Sequence, residues 1–279
     1  MKTILLPFSL LFSFVIQAQY YYNDIVGTLE ANRQMKTYLA NKVKTVTATG
    51  YDQRGTKATD FSEFQEIKEN GMALKFSAVT NLNKTVIYSK FDTQGRLISM
   101  TDSSTAIESV TTYEYDAAGK ITKVQNSTKD AANDFNQAET HYWIYNTAGN
   151  PEKMWRVINN ADSLEIRFAA DEYGNSIDER TFRKGTETAA IYYYYDDKNR
   201  LTDIVRYNTK VQKLLPDMLF EYDDKDRVIQ KITTTSSIKL GYLIWRYIFD
   251  EKGLKTKEAL FNDDKELTGK IEYHYTFGQ

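Results

Sequence analysis

Cysteine is absent from all 279 residues. Disulfides, thiolate nucleophiles, thiolate metal ligands and the acylated cysteine of a bacterial lipoprotein anchor are therefore excluded together. Histidine is scarce: only His141 and His274 occur, far apart and without HExxH spacing, so structural roles are expected for both and no metal site is predicted. Proline occurs three times, while aromatic residues make up 14% of the chain, a composition opposed to disorder. Neither charge sign dominates. The 36 Lys and Arg nearly balance 38 Asp and Glu, leaving a net charge of −2 and no basic stripe, so nucleic acid is not an expected partner. No GxSxG, P-loop or dinucleotide fingerprint is present, and no cofactor is expected.

The single long apolar run lies at the beginning. Lys2, the stretch from Ile4 to Ile16 and Gln17-Ala18 read as a secretory signal over residues 1–18, with Gln19 as the mature start. That run is short for a membrane span, and no other stretch suffices, so no transmembrane helix is expected. The predicted location is secreted, periplasmic or outer cell surface. Residues 19–42 read as an N-terminal helical cap. Asn23 and Asp24 are suitable N-caps, and Ile25, Leu29 and Tyr38-Leu39 recur at roughly helical spacing. Such a helix could cover the first edge of a sheet.

What is present is a phrase: aromatic, any residue, aromatic, Asp, two residues, Gly, a base, an aliphatic. Its clearest copy is Tyr113-Glu114-Tyr115-Asp116-Ala117-Ala118-Gly119-Lys120-Ile121. Related copies run from Tyr193-Tyr194-Tyr195-Asp196 to Arg200-Leu201 and from Phe220-Glu221-Tyr222-Asp223 to Arg227-Val228. With the Asp or its Asn equivalent as marker, copies lie at Asp52, Asp92, Asp116, Asn146, Asp171, Asp196, Asp223 and Asp250. Near-constant spacing of this kind marks a repeat architecture. Alternating aromatics suit a strand, Asp pre-forms a turn by accepting backbone hydrogen bonds, and Gly fits a left-handed position. Asn199 and Asp226 stand where the other copies have Gly, and both residue types tolerate positive φ. Each copy thus reads as one β-hairpin.

The phrase resembles the YD repeat of the RHS family of bacterial secreted and surface proteins, whose core reads Tyr-x-Tyr-Asp-x-x-Gly-Arg-Leu. The resemblance covers roughly residues 43–279. It is weakest at Asn146 and Asp171, where Asn150-Pro151 and Asn175-Ser176 replace the base and aliphatic. It implies a long antiparallel sheet that curls on itself, in proteins that bind carbohydrate or build shells around toxin domains. This chain has few repeats and no trailing toxin domain, which departs from the shell-building role.

The fold expected is all-β: a curled antiparallel β-meander of about eight YD-type hairpin repeats with an N-terminal helix. Between Asp52 and Asp92 an extra strand pair is expected near residues 61–80, turning at Asn70-Gly71. Residues one and three before each Asp, among them Tyr115, Tyr145, Tyr195, Tyr113, Trp143, Phe168 and Tyr193, form an aromatic core row. Polar stretches such as 127–137, 159–162, 209–217 and 262–264 read as longer loops at the opposite ends of the strands.

The turn carboxylates could serve as paired acids for glycoside hydrolysis, but they are already explained as turn formers. Asp196-Asp197 and Asp223-Asp224-Lys225-Asp226 resemble calcium loops only faintly, lacking EF-hand spacing and the closing Glu. The leading expectation is a non-catalytic binding module at the cell envelope, with glycan or envelope protein as ligand. Candidate ligand-binding residues are Tyr142, Tyr192 and Tyr194, which oppose the core row. An outer-membrane β-barrel is the second reading, although charges such as Arg167 and Arg246 interrupt the faces. A hydrolase is the third, with almost no residues to support it.

Overall fold

The computed structural model describes residues 20–80, 83–103, 107–130, 132–208, 212–234 and 241–278. The signal read over residues 1–18 lies outside the described residues. One helix leads, α1 (Asn23–Ala40), followed by β1 (Val43–Asp52), β2 (Phe61–Lys68), β3 (Ala73–Thr80), β4 (Asn83–Phe91), β5 (Leu97–Asp102) and β6 (Ile107–Tyr115). Next come β7 (Ile121–Asp130), β8 (Phe135–Tyr145), β9 (Pro151–Ile158), β10 (Asp162–Ala170), β11 (Ser176–Arg183) and β12 (Thr186–Tyr195). The remainder is β13 (Leu201–Asn208), β14 (Lys213–Tyr222), β15 (Val228–Thr234), β16 (Tyr242–Phe249), β17 (Lys255–Phe261) and β18 (Leu267–Phe277). The extra pair between Asp52 and Asp92 is β2 with β3, turning at Glu69–Gly71, where Asn70 and Gly71 have φ of 54° and 90°.

The chain divides into two compact units, and each is taken by itself. Of the described residues, the first comprises those within 30–96 and 220–278, and the second those within 20–29 and 97–219. In the second unit each strand from β5 to β14 pairs antiparallel with the next. In the first unit β15 to β18 pair in sequence, β18 pairs with β1, and β1 pairs with β2, which continues to β3 and β4.

The pairing of β18 with β1 corrects the expectation of a meander with a free first edge. Both sides of β1 are hydrogen-bonded, so α1 has no edge to cap there. The helix packs instead against inward aromatic and aliphatic side chains. In the second unit the Tyr22 ring lies 5.2 Å from Tyr193 and 6.3 Å from Phe168. In the first, Ala31, Gln34 and Met35 line a small cavity with Leu74, Phe76, Ile87 and Phe91, and Met35 is fully buried.

Each repeat turn is built alike. At Asp116 the backbone N–H accepts its place in the ladder by donating to Lys120 O at 2.9 Å, and Gly119 N donates back to Asp116 O at 3.0 Å. Gly119 sits at φ 81°, a left-handed conformation strained for any residue with a Cβ. Asn199 and Asp226 adopt the same conformation at φ 59°. A further copy occurs at Asn262, whose N–H donates to Glu266 O at 3.0 Å while Lys265 takes the left-handed place at φ 61°. Residues 262–264, read as a loop, are therefore a repeat turn.

After six of the turns the following strand carries a bulge. Tyr115 pairs with Ile121 and Glu114 with Lys123, so Thr122 is the extra residue. The same shift occurs at Tyr145/Pro151, Ala170/Ser176, Tyr195/Leu201, Phe249/Lys255 and Phe261/Leu267. Threonine hydroxyls at the bulge donate to the opposing strand: Thr202 to Tyr194 O at 3.2 Å, Thr256 to Ile248 O at 3.2 Å and Thr268 to Leu260 O at 3.0 Å. Because one residue is inserted, positions five and eight past the Asp both face inward, as with buried Leu97 and Met100, Ile121 and Val124, and Leu201 and Ile204.

The aromatic row is the core expected of it. Tyr113, Trp143, Phe168 and Tyr193 are buried, and Trp143 stacks on Phe168 at 5.1 Å. Tyrosines immediately before the turn also bind neighbouring repeats: Tyr115 donates to Leu97 O at 2.6 Å and Tyr195 to Ser176 O at 2.8 Å; near the end of β18, Tyr275 makes the same bond to Lys255 O at 2.7 Å.

The other connections are mostly as tight as the Asp turns, which corrects the expectation of long loops. Asn159-Asn160 (φ 47° and 55°) and Lys184-Gly185 (φ 49° and 83°) form hairpin turns whose twist matches that of the strands. Residues 127–130 and 135–137 are strand, as are 213–217; residues 131 and 209–211 lie outside the described set.

Candidate functional site

The carboxylates of Asp92, Asp171, Asp196 and Asp223 are engaged at both oxygens by the turns themselves. Asp196 Oδ1 accepts from Lys198 N at 3.0 Å and Arg200 N at 2.9 Å, and its Oδ2 accepts from Arg200 Nε at 2.8 Å. Asp223 repeats this with Lys225 N, Arg227 N and Arg227 Nε at 2.9, 2.9 and 2.7 Å, and Asp92 with Gln94 N, Arg96 N and Arg96 Nε. Asn175 Nδ2 substitutes for the base on Asp171 at 3.0 Å. The hydrogen bond from Arg200 holds Asp196 below the usual carboxylate range, against the opposing pull of desolvation. A carboxylate kept ionised and saturated with donors neither delivers a proton nor offers free lone pairs to a cation. Where the base of the phrase is Arg, at Arg96, Arg200 and Arg227, it is the partner of its Asp, whereas Lys120 reaches to Gly149 O at 2.7 Å. Among the described residues no cluster of three or more His, Asp and Glu has an arrangement suited to a metal ion.

A buried polar assembly lies in the second unit. Period-two alternation along β8 turns Glu139, His141 and Trp143 to the inner face, where they meet Asp24 in the first turn of α1. His141 Nδ1 lies 2.7 Å from Asp24 Oδ2, and His141 Nε2 lies 2.9 Å from Glu139 Oε1. Arg156 donates to Glu139 Oε2 at 2.6 Å, and Trp143 Nε1 donates to Asp24 Oδ2 at 3.0 Å. Burial by itself would lower the pKa of His141, but Asp24 and Glu139 more than offset it and raise the value to about 9. Desolvation pushes Glu139 up, yet hydrogen bonds from His141 and Arg156 bring it down to about 2. His141 is therefore an imidazolium at neutral pH, with both ring N–H groups committed. It anchors a helix start, where a carboxylate is also favoured by the helix dipole, and it has no lone pair for base catalysis. His274 is exposed on β18 opposite Thr47.

A second anchor stands beside it. Buried Glu179 accepts from Tyr21 N at 3.1 Å, Tyr22 N at 2.9 Å and the Tyr193 hydroxyl at 2.7 Å. Neither anchor was evident from the sequence pattern, because the inward direction of Glu179 follows from the bulge.

The three candidate tyrosines face outward but do not form one patch. Tyr142 is 43% exposed on β8 and Tyr194 is 48% exposed on β12, while Tyr192 is half-buried with Arg180 6.0 Å from its ring. Strands β9, β10 and β11 separate β8 from β12, a span of about 19 Å at the usual strand spacing. Tyr142 finds another neighbour, Trp155, its register partner on β9 and 36% exposed. Lys153 lies 5.9 Å from the Trp155 ring, and Ile144 is exposed beside it. The two rings form an outward platform in the second unit, and Trp155 lay outside the sequence phrase.

No curated protein matches the chain. Among solved structures, a Photorhabdus luminescens Tc holotoxin pore aligns at 14% identity and a TM-score of 0.35, over 78% of this chain and 12% of that one. The chain thus spans a small part of that relative's length. A porin-like protein from Bacteroides uniformis aligns at 12% identity and a TM-score of 0.43, over 84% of this chain and 98% of the other. Residues 91–131, the span from Phe91 through the Asp92 and Asp116 turns, match the family model of the RHS repeat.

Proposed function

We propose that the chain is an exported, non-catalytic β-repeat module that binds a glycan or protein at the cell envelope through its outward sheet surface. The observation that carries this reading is the Tyr142–Trp155 pair: two partly exposed rings in register on adjacent strands of the outward face. Flat aromatic surface of this kind suits stacking on sugar rings or partner side chains. The saturated turn carboxylates and the protonated state of His141 support a non-catalytic role, and the signal-like sequence of residues 1–18 supports export. Cell fractionation combined with retention of the labelled chain on purified envelope polysaccharides tests the proposal. Cytosolic recovery of the chain, or no retention on polysaccharide or envelope protein, contradicts it.

One observation favours an outer-membrane β-barrel as a second reading, namely the β1–β18 pairing that leaves the first strand without a free edge. Against it, outward positions carry Glu114, Lys123, Lys153, Arg167 and Arg180, and each midplane Lys or Arg facing lipid costs about 2–4 kcal/mol. Of the described residues, no helix is long and apolar enough to cross a membrane, which says nothing of strands. Heat-modifiable migration and a requirement for detergent would favour the barrel; a chain that stays in solution without detergent favours the binding module.

A further inference from the structure

In the seven copies from Asp92 to Asp250 the eighth residue past the marker faces inward, and in four of them it is an apolar core residue: Met100, Val124, Met154 and Ile204. Three copies place a charge there instead, at Glu179, Lys231 and Glu258, each at least 93% buried. A buried charge is costly unless its hydrogen-bonding capacity is filled. Glu179 shows how one copy does so. The Tyr193 hydroxyl, three residues before the next turn, binds one oxygen, and the amides of Tyr21 and Tyr22 supply the rest.

Glu258 in the first unit repeats half of this arrangement. Its Oε2 accepts from the Tyr273 hydroxyl at 3.1 Å, the counterpart of Tyr193, and from Lys255 Nζ at 2.7 Å. Its Oε1 is buried without a protein partner, and so is the hydroxyl of Tyr247, the residue directly opposite Glu258 across β16 and β17. Lys231 approaches from β15, where its register partner is Trp245, one alternation from Tyr247 on the same inner face. Its ammonium is desolvated and attracted to Glu258, which faces it within the same interior. A buried acceptor and a buried hydroxyl therefore face each other on adjacent strands, and the charge of Glu258 acts on the Lys231 ammonium across β16.

We infer that Glu258 Oε1, Tyr247 Oη and Lys231 Nζ together hold one ordered water molecule, which does for Glu258 what two backbone amides do for Glu179. The water accepts from Lys231 and Tyr247 and donates to Glu258, giving the roughly three hydrogen bonds usual for a structural buried water. Nothing larger is required, because the three groups lie on adjacent strands of a packed wall. The site differs in kind from the outward platform: its occupant is small, polar and internal.

A crystal structure of the full chain at a resolution that shows solvent tests the site. The expected result is a fully occupied water within hydrogen-bonding distance of all three atoms. A direct Lys231–Glu258 ion pair that closes the space, or no density between the groups, overturns the inference. In solution, a nuclear Overhauser contact between long-lived water and the Tyr247 hydroxyl proton is expected in the parent. Tyr247→Phe is a tolerated probe, since Phe168 and Phe220 occupy the equivalent place in other repeats. It should retain the fold and shorten the water's residence, leaving contacts to Glu258 and Lys231. A water contact to Lys231 unchanged in lifetime by Tyr247→Phe also overturns the three-way site.

Discussion

The hydroxyl of Tyr145 donates to the carbonyl oxygen of Ile121 at 2.8 Å, tying the residue before one turn to the residue five past the previous turn. The same bond recurs at Tyr115 and Tyr195, and at Tyr275 near the end of β18, so the second aromatic of the phrase is a stitch between repeats as well as a core side chain. Removing one such hydroxyl leaves a carbonyl short of a donor in a partly buried place. Tyr145→Phe should lower stability by about 1 kcal/mol. At Phe91 the sequence already has Phe, and Phe91→Tyr should give no comparable gain, since that ring is buried in a largely apolar lining. Denaturant midpoints at constant slope decide both.

The turn geometry makes a graded prediction. Gly119→Val places a β-branched side chain at φ 81° and should cost more than about 1 kcal/mol. Asn199→Gly and Asp226→Gly, both at φ 59°, should stay within about 1 kcal/mol, because relief of strain opposes a freer unfolded chain. Equal effects at the three positions in urea titrations would contradict the shared turn.

Much of this was legible in the sequence, and the unread parts share physical causes. The hairpins, their Asp turns and the inward row from Tyr113 to Tyr193 follow from local chemistry, which a short phrase carries in full. The register shift past the turn falls outside the repeat phrase; the recurrent Thr at 122, 202, 256 and 268 is the sequence signal that marks it. The Asn262 turn was missed because it lies only twelve residues past Asp250 and carries Lys265 in place of Gly. The β1–β18 pairing joins strands at opposite ends of the sequence, and no local pattern encodes it. As for the site, outward parity was read correctly for Tyr142 and Tyr194, but their separation depends on strand order. Trp155 gained its importance only as the neighbour of Tyr142.

The His141 cluster predicts a pH dependence. Its pKa lies at about 9 in the folded protein against an ordinary 6.5, so the stability it contributes is complete below 6.5 and is lost as pH rises through about 9. Glu139, lowered to about 2 from 4.5, contributes stability that is complete above 4.5 and is lost as pH falls through about 2. The shared optimum is therefore between 4.5 and 6.5. Raising pH through the alkaline window should cost the parent on the order of 3 kcal/mol at most. His141→Gln should be less stable at the optimum and show a flatter alkaline slope. Parallel slopes for variant and parent would show that other groups govern the alkaline loss.

Neighbouring positions on β12 separate the two faces. Tyr193 is 2% exposed and bonded to Glu179, so Tyr193→Ala should cost about 3–5 kcal/mol. Tyr194→Ala, at a position 48% exposed, should change stability by less than about 1 kcal/mol. Thermal melts in which Tyr194→Ala is the more damaging would reverse the assignment of faces.

The proposed function rests on the outward platform, and binding by a Tyr142→Ala, Trp155→Ala double variant tests it most directly. Parent and variant are titrated against the envelope polysaccharide or protein that retains the parent, with thermal melts run alongside. The account predicts that the variant binds at least about 10-fold more weakly, equal to about 1.4 kcal/mol, with its melting temperature nearly unchanged. Undiminished binding by the double variant, or a parent that binds no envelope component, would contradict it.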